Sequence, residues 1–142
     1  MKDIELECLP SWRYCRIPYG TKAPKEFQWH KKPYTLDQIP QTMNIGVILG
    51  TNSGGLCALD FDGPAAWVWW DEHIGIDIPT TIAWSSGRQG RCQMAFQVPK
   101  SAWDFLKTRK INLETPCPED TNKMQGFEFR WGDTREIGRA HV

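Results

Sequence analysis

The segment Leu56–Asp62 (LCALDFD) constrains the fold more than any other part of this 142-residue chain. Side chains alternate between the two faces of a β-strand, so Leu59 and Phe61 face one side while Asp60 and Asp62 face the other. An apolar face must be covered by other elements, whereas two neighbouring carboxylates repel each other unless a cation lies between them. The segment therefore predicts a strand with one face in the core and one acidic, functional face.

Short apolar runs and turn residues predict the remaining elements. Proline is favoured in the first turn of a helix, and the Gly-Pro pair that follows the acidic strand predicts a helix there. We expect strands over residues 44–49, 56–62, 80–84, 92–98 and 127–131, helices over 65–73 and 102–110, and an exposed loop over 114–124. The first helix carries Trp67, Trp69 and Trp70, which we expect mainly to pack in the core. Strands that alternate with helices indicate an α+β or α/β domain.

A third carboxylate repeats the pattern of the first two. In the predicted strand 127–131, Phe127 and Phe129 face the core, so Glu128 faces the other way. If this strand pairs beside that of Asp60 and Asp62, we expect a Glu128 carboxylate oxygen within roughly 4–8 Å of Asp60 or Asp62. Such oxygen ligands suit Mg²⁺ or Mn²⁺ in two-metal phosphoryl transfer. The alternative is that the two aspartates only form a turn at a strand end.

The loop that precedes the strand 92–98 is typical of a phosphate-binding loop. Glycines allow backbone N–H groups to approach a phosphate, and arginines add charge-assisted contacts. The candidate residues are Ser86, Gly87, Arg88 and Arg91. Six acidic residues and no lysine or arginine lie between residues 33 and 87, whereas six basic residues and one acid lie between 88 and 110. This asymmetry suits a site for metal and phosphate, although a hairpin loop with solvated arginines would look similar.

Overall composition excludes several classes of protein. Seventeen Lys and Arg balance 17 Asp and Glu, which excludes a uniformly basic nucleic-acid coat. We find no apolar run long enough to span a bilayer and no signal peptide, so we expect a cytoplasmic protein with no membrane partner. The five cysteines form no CxxC pair, and we expect them to be reduced.

Taken together, these motifs resemble the N-terminal domain of bifunctional DNA primase/polymerases (prim-pol), within the archaeo-eukaryotic primase superfamily. The likeness covers about residues 10 to 133. It begins with an opening stretch that contains Pro18, Lys22, Pro24 and Trp29. The motifs that follow, in chain order, are NIGV with Gly50, SGGL, LDFDG, SGR to Phe96, and FEFR. It implies an α+β fold in which an RRM-like antiparallel or mixed sheet is joined to an N-terminal α/β unit. The active site would lie between these two parts.

The resemblance also implies a function, template-directed nucleotidyl transfer. Asp60, Asp62 and Glu128 would be the catalytic residues and would bind Mg²⁺ or Mn²⁺. The nucleotide would be bound by Ser86, Gly87, Arg88, Arg91, Gln93 and Lys22. The implied partners are a DNA template, nucleoside triphosphates and a replicative helicase domain, in a bacterial, phage or plasmid setting.

The chain departs from the family pattern at two places. Gln93 stands where the family has a histidine; glutamine can hydrogen-bond a phosphate but carries no charge. The family also continues past its third motif with a further strand and a Pro-Pro-Ser segment, whereas this chain ends at Val142. We therefore expect residues 1–134 to form a domain that is truncated at its C-terminus, and residues 135–142 to be an unassigned tail.

Two other functions fit parts of the sequence. The segment ALDFDG is similar to the first motif of haloacid-dehalogenase-like phosphatases, in which Asp60 would be the nucleophile and Asp133 would belong to the last motif. The other alternative is a non-catalytic nucleic-acid-binding remnant of the primase fold, in which exposed tryptophans stack on bases.

Overall fold

The computed structural model describes residues 11–132 in full and the backbone of residues 137–140. It is an α+β arrangement of two antiparallel sheets and one described α-helix, in agreement with the predicted class. The elements are β1 (Arg13–Ile17), β2 (Asn44–Ile48), β3 (Leu56–Asp62), α1 (Pro64–His73), β4 (Ala83–Trp84), β5 (Arg91–Gln97), β6 (Arg109–Pro116), β7 (Met124–Arg130) and β8 (Ile137–Ala140). Short 3-10 segments, at Trp29–Lys31, Leu36–Gln38, Thr51–Ser53 and Lys100–Phe105, connect them.

The smaller sheet has three strands in the order β1–β2–β8. Strand β1, which the sequence analysis missed, pairs with β2 from Arg13 opposite Ile48 to Ile17 opposite Asn44. Strand β8 pairs with the other edge of β2 and lies within the segment expected to be an unassigned tail. The domain boundary at residue 134 stays a prediction, and Asp133 lies outside the described residues. In the described residues before β3, 11–55, there are 3-10 turns and no α-helix, although an N-terminal α/β unit was expected.

The larger sheet has five strands in the order β4–β5–β3–β7–β6, and every neighbouring pair is antiparallel. The acidic strand β3 is central, as its apolar alternate positions require, because both of its edges are hydrogen-bonded. Strands β3, β5 and β7 match the predicted strands to within a few residues. The strand predicted over 80–84 is shortened to Ala83–Trp84.

The second predicted helix, over residues 102–110, is wrong. Residues 100–105 form a 3-10 segment, and β6 begins at Arg109 and runs through the first part of the predicted 114–124 loop. The physical reason lies in the strand pairing: Ile111 is directly opposite Phe127 on β7, and Leu113 also packs on the cluster that contains Phe127. A helix ending at Lys110 would leave this edge of β7 without hydrogen-bond partners.

Different layers cover the two faces of the larger sheet. Helix α1 packs its three tryptophans against Phe61 and Phe127, with the Trp67 ring stacked 4.0 Å from Phe61, as the core-packing prediction requires. On the opposite face, β1 and β2 pack over the Leu56 end of β3. They leave the Asp62 end open, and the acidic residues therefore lie at the junction of the two sheets. In residues 11–132 and 137–140, no helix is both long and apolar enough to cross a bilayer.

Candidate functional site

A row of side chains crosses the whole larger sheet at one level. The strand registers place Asp60 directly opposite Gln93 on one side and Glu128 on the other. They continue the row to Trp84 beyond Gln93 and to Lys110 beyond Glu128. Directly opposed residues of antiparallel strands share a face, so these five side chains belong to the same surface.

The three carboxylates lie together on that surface, and arginines bind them. The Arg130 Nη2 atom lies 2.8 Å from Asp60 Oδ2 and 3.2 Å from Glu128 Oε2. These two oxygens are therefore no more than about 6 Å apart, the sum of those two distances. Arg91 Nε lies 2.8 Å from Asp62 Oδ1. The concentration of negative charge predicted from the alternation is thus present, and in this structure guanidinium groups balance it.

Asp60 is the most buried of the three carboxylates, at 8% exposure. Burial raises the pKa of Asp60, since the charged form loses its hydration. Arg130 lowers that pKa, while the negative charge of Asp62 raises it. The net shift is upward, so the Asp60 carboxylate is an energetically costly charge that gains from any cation beside it.

Two hollows open on either side of the Asp60–Glu128 pair. The first hollow, on the β4–β5 side, is lined by residues that include Lys22, Trp84, Ser85, Ser86, Gln93 and, of the three carboxylates, Asp60. Its lysine comes from the loop after β1, so both sheets contribute to it. The hollow on the β6–β7 side is lined by Lys110, Asn112, Met124 and Gln125 as well as the three carboxylates. Basic or amide side chains therefore flank the carboxylates on both sides.

The predicted phosphate-binding loop is held in place by its own hydrogen bonds and by helix α1. The Ser85 hydroxyl donates to the Arg91 carbonyl (2.7 Å) and accepts from the Gly87 N–H (3.1 Å). The Trp67 indole donates to the Gly90 carbonyl (2.9 Å). Gly90 has a φ of 71°, and a Cβ there would meet the Gly63–Pro64 backbone, so only glycine fits.

The loop brings some of its predicted residues to the first hollow and not others. Ser86 and Arg91 line the hollow beside Gln93 and Lys22, although Arg91 is also paired with Asp62. Gly87 and Arg88 lie in the same loop, but neither belongs to the lining. Nucleotide contacts from these two residues stay predictions.

Three residues of this surface were not predicted from the sequence. Arg130 could have been found, because it lies two positions after Glu128 and shares its face by the same alternation. Trp84 and Lys110 had no local signal, because they reach the site only through the pairing of β4 with β5 and of β6 with β7.

The carboxylate oxygens of the site are the kind of ligand that binds divalent metal, but their spacing in this structure does not suit a metal ion. Carboxylate oxygens are the ligands that Mg²⁺ and Mn²⁺ prefer. Among residues 11–132, however, no group of three acidic, histidine or cysteine side chains is spaced to hold a metal ion. The Arg130 guanidinium lies between Asp60 and Glu128 and supplies positive charge there. Metal binding at this site would require that arginine to move aside.

Comparison with known proteins gives the family of this chain. The sequence model of the family "Bifunctional DNA primase/polymerase, N-terminal" matches residues 6–136. Because the match covers nearly the whole chain, the protein belongs to that family, as the motifs predicted. No curated protein and no solved structure gives a significant match. Family membership argues against the phosphatase interpretation.

Proposed function

We propose that this chain catalyses template-directed nucleotidyl transfer on DNA. The observation that carries the proposal is the cross-sheet register that sets Asp60 opposite Glu128, with Asp62 two residues along the same strand. These carboxylates lie between two hollows that are lined by basic and amide groups. A polymerase needs this kind of arrangement, since the incoming nucleotide and the end of the growing strand must meet at one acidic centre.

The reaction forms a bond between the 3′ oxygen of the growing strand and the α-phosphorus of the nucleotide. The bond between the α-phosphorus and the bridging oxygen to the β-phosphate breaks, pyrophosphate leaves, and the proton of the 3′ hydroxyl passes to solvent. In our proposal, Lys22, Ser86 and Gln93 bind the triphosphate in the hollow on the β4–β5 side. Lys110 and Asn112 face the strand end in the hollow on the β6–β7 side. The two hollows thus orient the reacting groups toward each other across Asp60 and Glu128.

Asp60, Asp62 and Glu128 would hold Mg²⁺ or Mn²⁺. When bound, such ions lower the pKa of the attacking hydroxyl and neutralise charge on the transferred phosphoryl group. Arg130 and Arg91 would exchange their carboxylate partners for phosphate oxygens, which guanidinium groups bind equally well. The fold-level details expected of the primase superfamily, an RRM-like sheet with an N-terminal unit, form part of the same proposal.

The test is incorporation of labelled nucleotide on primed and unprimed templates, with Mg²⁺, with Mn²⁺ and with EDTA. We expect metal-dependent incorporation by the wild-type chain and its loss in the double variant Asp60→Asn, Asp62→Asn. The matched control is Asp71→Asn, which removes an exposed carboxylate on helix α1. Wild-type incorporation by the double variant would contradict the proposal.

A second candidate is a non-catalytic nucleic-acid-binding domain. Two observations favour it: guanidinium groups already bind the carboxylates, and Gln93 cannot carry the charge of a histidine. DNA binding that persists in EDTA, with no incorporation under any metal condition, would select this candidate. A helicase partner and a phage, plasmid or bacterial origin stay predictions.

A further inference from the structure

The amide of Gln93 and the indole of Trp84 form a pair at the edge of the first hollow. The two residues are directly opposite in the β4–β5 register, and Trp84 Nε1 donates to Gln93 Oε1 at 3.0 Å. We propose that Trp84 is a positioning residue that turns the Gln93 amide so that its NH₂ group faces the phosphates of a bound nucleoside triphosphate. This inference rests on the proposed function, because it assigns a role within the nucleotide site.

The chemistry of the two groups fixes the direction of the amide. An indole N–H can only donate, and an amide can accept only through its oxygen. A Gln93 side chain bonded to Trp84 must therefore present its nitrogen, with two N–H donors, away from the indole. Within residues 11–132, no group accepts a hydrogen bond from Gln93 Nε2, and the side chain lines the hollow beside Lys22 and Ser86. The unused donors therefore suit an anionic ligand.

The indole is itself held from the other sheet. The half-buried Trp84 side chain packs against an apolar cluster that includes Tyr14 of β1 and Val47 of β2, and Tyr34 and Ile82 pack against the same cluster. The indole N–H is thus fixed before any ligand arrives, and so is the amide that it holds. A preorganised donor loses little entropy when it binds a phosphate. Because the amide is neutral, it also donates equally well across a wide range of pH.

The test is a double-mutant cycle on the affinity for a non-hydrolysable deoxynucleoside triphosphate analogue, measured by calorimetry. Trp84→Phe keeps the aromatic ring and removes the donor, whereas Gln93→Leu removes the amide. We expect each single variant to weaken binding, Gln93→Leu by on the order of tenfold, the value of a hydrogen bond to a charged group. The double variant should bind about as weakly as Gln93→Leu alone, because both changes remove the same donor.

Two further variants separate positioning from general damage to the fold. Gln93→Glu keeps the oxygen that accepts from Trp84 but replaces the amide NH₂ group with a second carboxylate oxygen. The new charge lies directly opposite Asp60, so the melting temperature should fall, but the variant should stay folded and bind the analogue more weakly than Gln93→Leu. The control is Trp103→Phe, which removes another indole N–H, bonded to the Val98 carbonyl at 2.8 Å outside the hollow. The control should bind the analogue like wild type.

The outcomes distinguish this inference from the proposed function. Binding by the wild-type chain, with independent additive losses in the cycle or no loss in Trp84→Phe, would overturn the positioning role alone. Absence of binding by the wild-type chain, under conditions where it is folded, would overturn the nucleotide site and this inference with it.

Discussion

At the scale of single residues, Asp60 carries a charge that the proposed chemistry needs but that its burial makes unfavourable for stability. Burial raises the pKa of its carboxyl above the usual 3.8, so the folded protein binds a proton there more tightly than the unfolded chain does. Stability must then fall as the pH rises through that raised pKa, and it is regained below the unfolded value. The charged carboxylate is thus a cost that the fold carries at neutral pH.

The first prediction follows from the upward direction of the Asp60 pKa shift. Asp60→Asn, which removes the charge but keeps the shape, should match wild type in stability below about pH 4 and exceed it at neutral pH. Glu128 stays within 3.2 Å of Arg130, so the guanidinium keeps one partner. Urea unfolding of both chains across this pH range tests the prediction, with Asp71→Asn as the exposed control. A variant less stable than wild type at neutral pH would show that the ion pair outweighs the burial cost.

The second prediction concerns Arg130, whose guanidinium contacts two carboxylates. Arg130→Gln should destabilise the metal-free protein by about 3 kcal/mol, because a buried carboxylate loses its nearest positive charge. The same change should strengthen Mn²⁺ binding, since the ion no longer competes with the guanidinium for the carboxylate oxygens.

Melting temperatures in EDTA and in Mn²⁺ measure both effects of the Arg130 change. The control Arg109→Gln removes an exposed arginine whose strand position, opposite Phe129, places it on the other face of the sheet. If Mn²⁺ raises the melting temperature of Arg130→Gln no more than that of wild type, the guanidinium does not compete with metal.

At the scale of elements, helix α1 both covers the core and anchors the loop at the first hollow. Trp67→Phe should keep the ring stacked on Phe61 but leave the Gly90 carbonyl without its indole donor. We expect a loss of about 1 kcal/mol in stability and faster amide hydrogen exchange in residues 85–90. Trp70→Phe is the matched control, because its indole bonds the Ile76 carbonyl instead. Equal exchange in the two variants would mean that Trp67 does not hold the loop.

Among the elements, some features could be predicted from the sequence alone and others could not. The alternation around Asp60 and Glu128 was enough to place three carboxylates on one face, because alternation is a local property of a strand. Strand β6 was missed: its first two residues were assigned to the end of a helix and its last three to a loop. Its apolar alternation covers only Ile111 and Leu113, after a basic run that is typical of a helix C-terminus. Its true state depends on hydrogen bonds to β7, which no local pattern encodes.

At the scale of the whole molecule, the site depends on how the five strands of the larger sheet pair and on how the smaller sheet packs against them. Asp60 is at the centre of a row whose ends, Trp84 and Lys110, are 26 residues apart in sequence. Lys22 reaches the first hollow only because the smaller sheet packs over the Leu56 end of β3 and leaves the acidic end open. The function we propose is therefore a property of the assembled sheets rather than of any single motif.

The last prediction tests the far end of that row. Lys110 is exposed and lines the hollow on the β6–β7 side, where we place the end of the growing strand. If its ammonium group contacts a backbone phosphate, Lys110→Ala should weaken binding of a primed template and reduce the slope of log K against log salt by about 0.7 to 0.9. Affinity for the free nucleotide should be unchanged, because that ligand would occupy the other hollow. Lys100→Ala, an exposed lysine that lines neither hollow, is the control. An unchanged salt slope, or a loss confined to nucleotide affinity, would place the strand end elsewhere on the sheet.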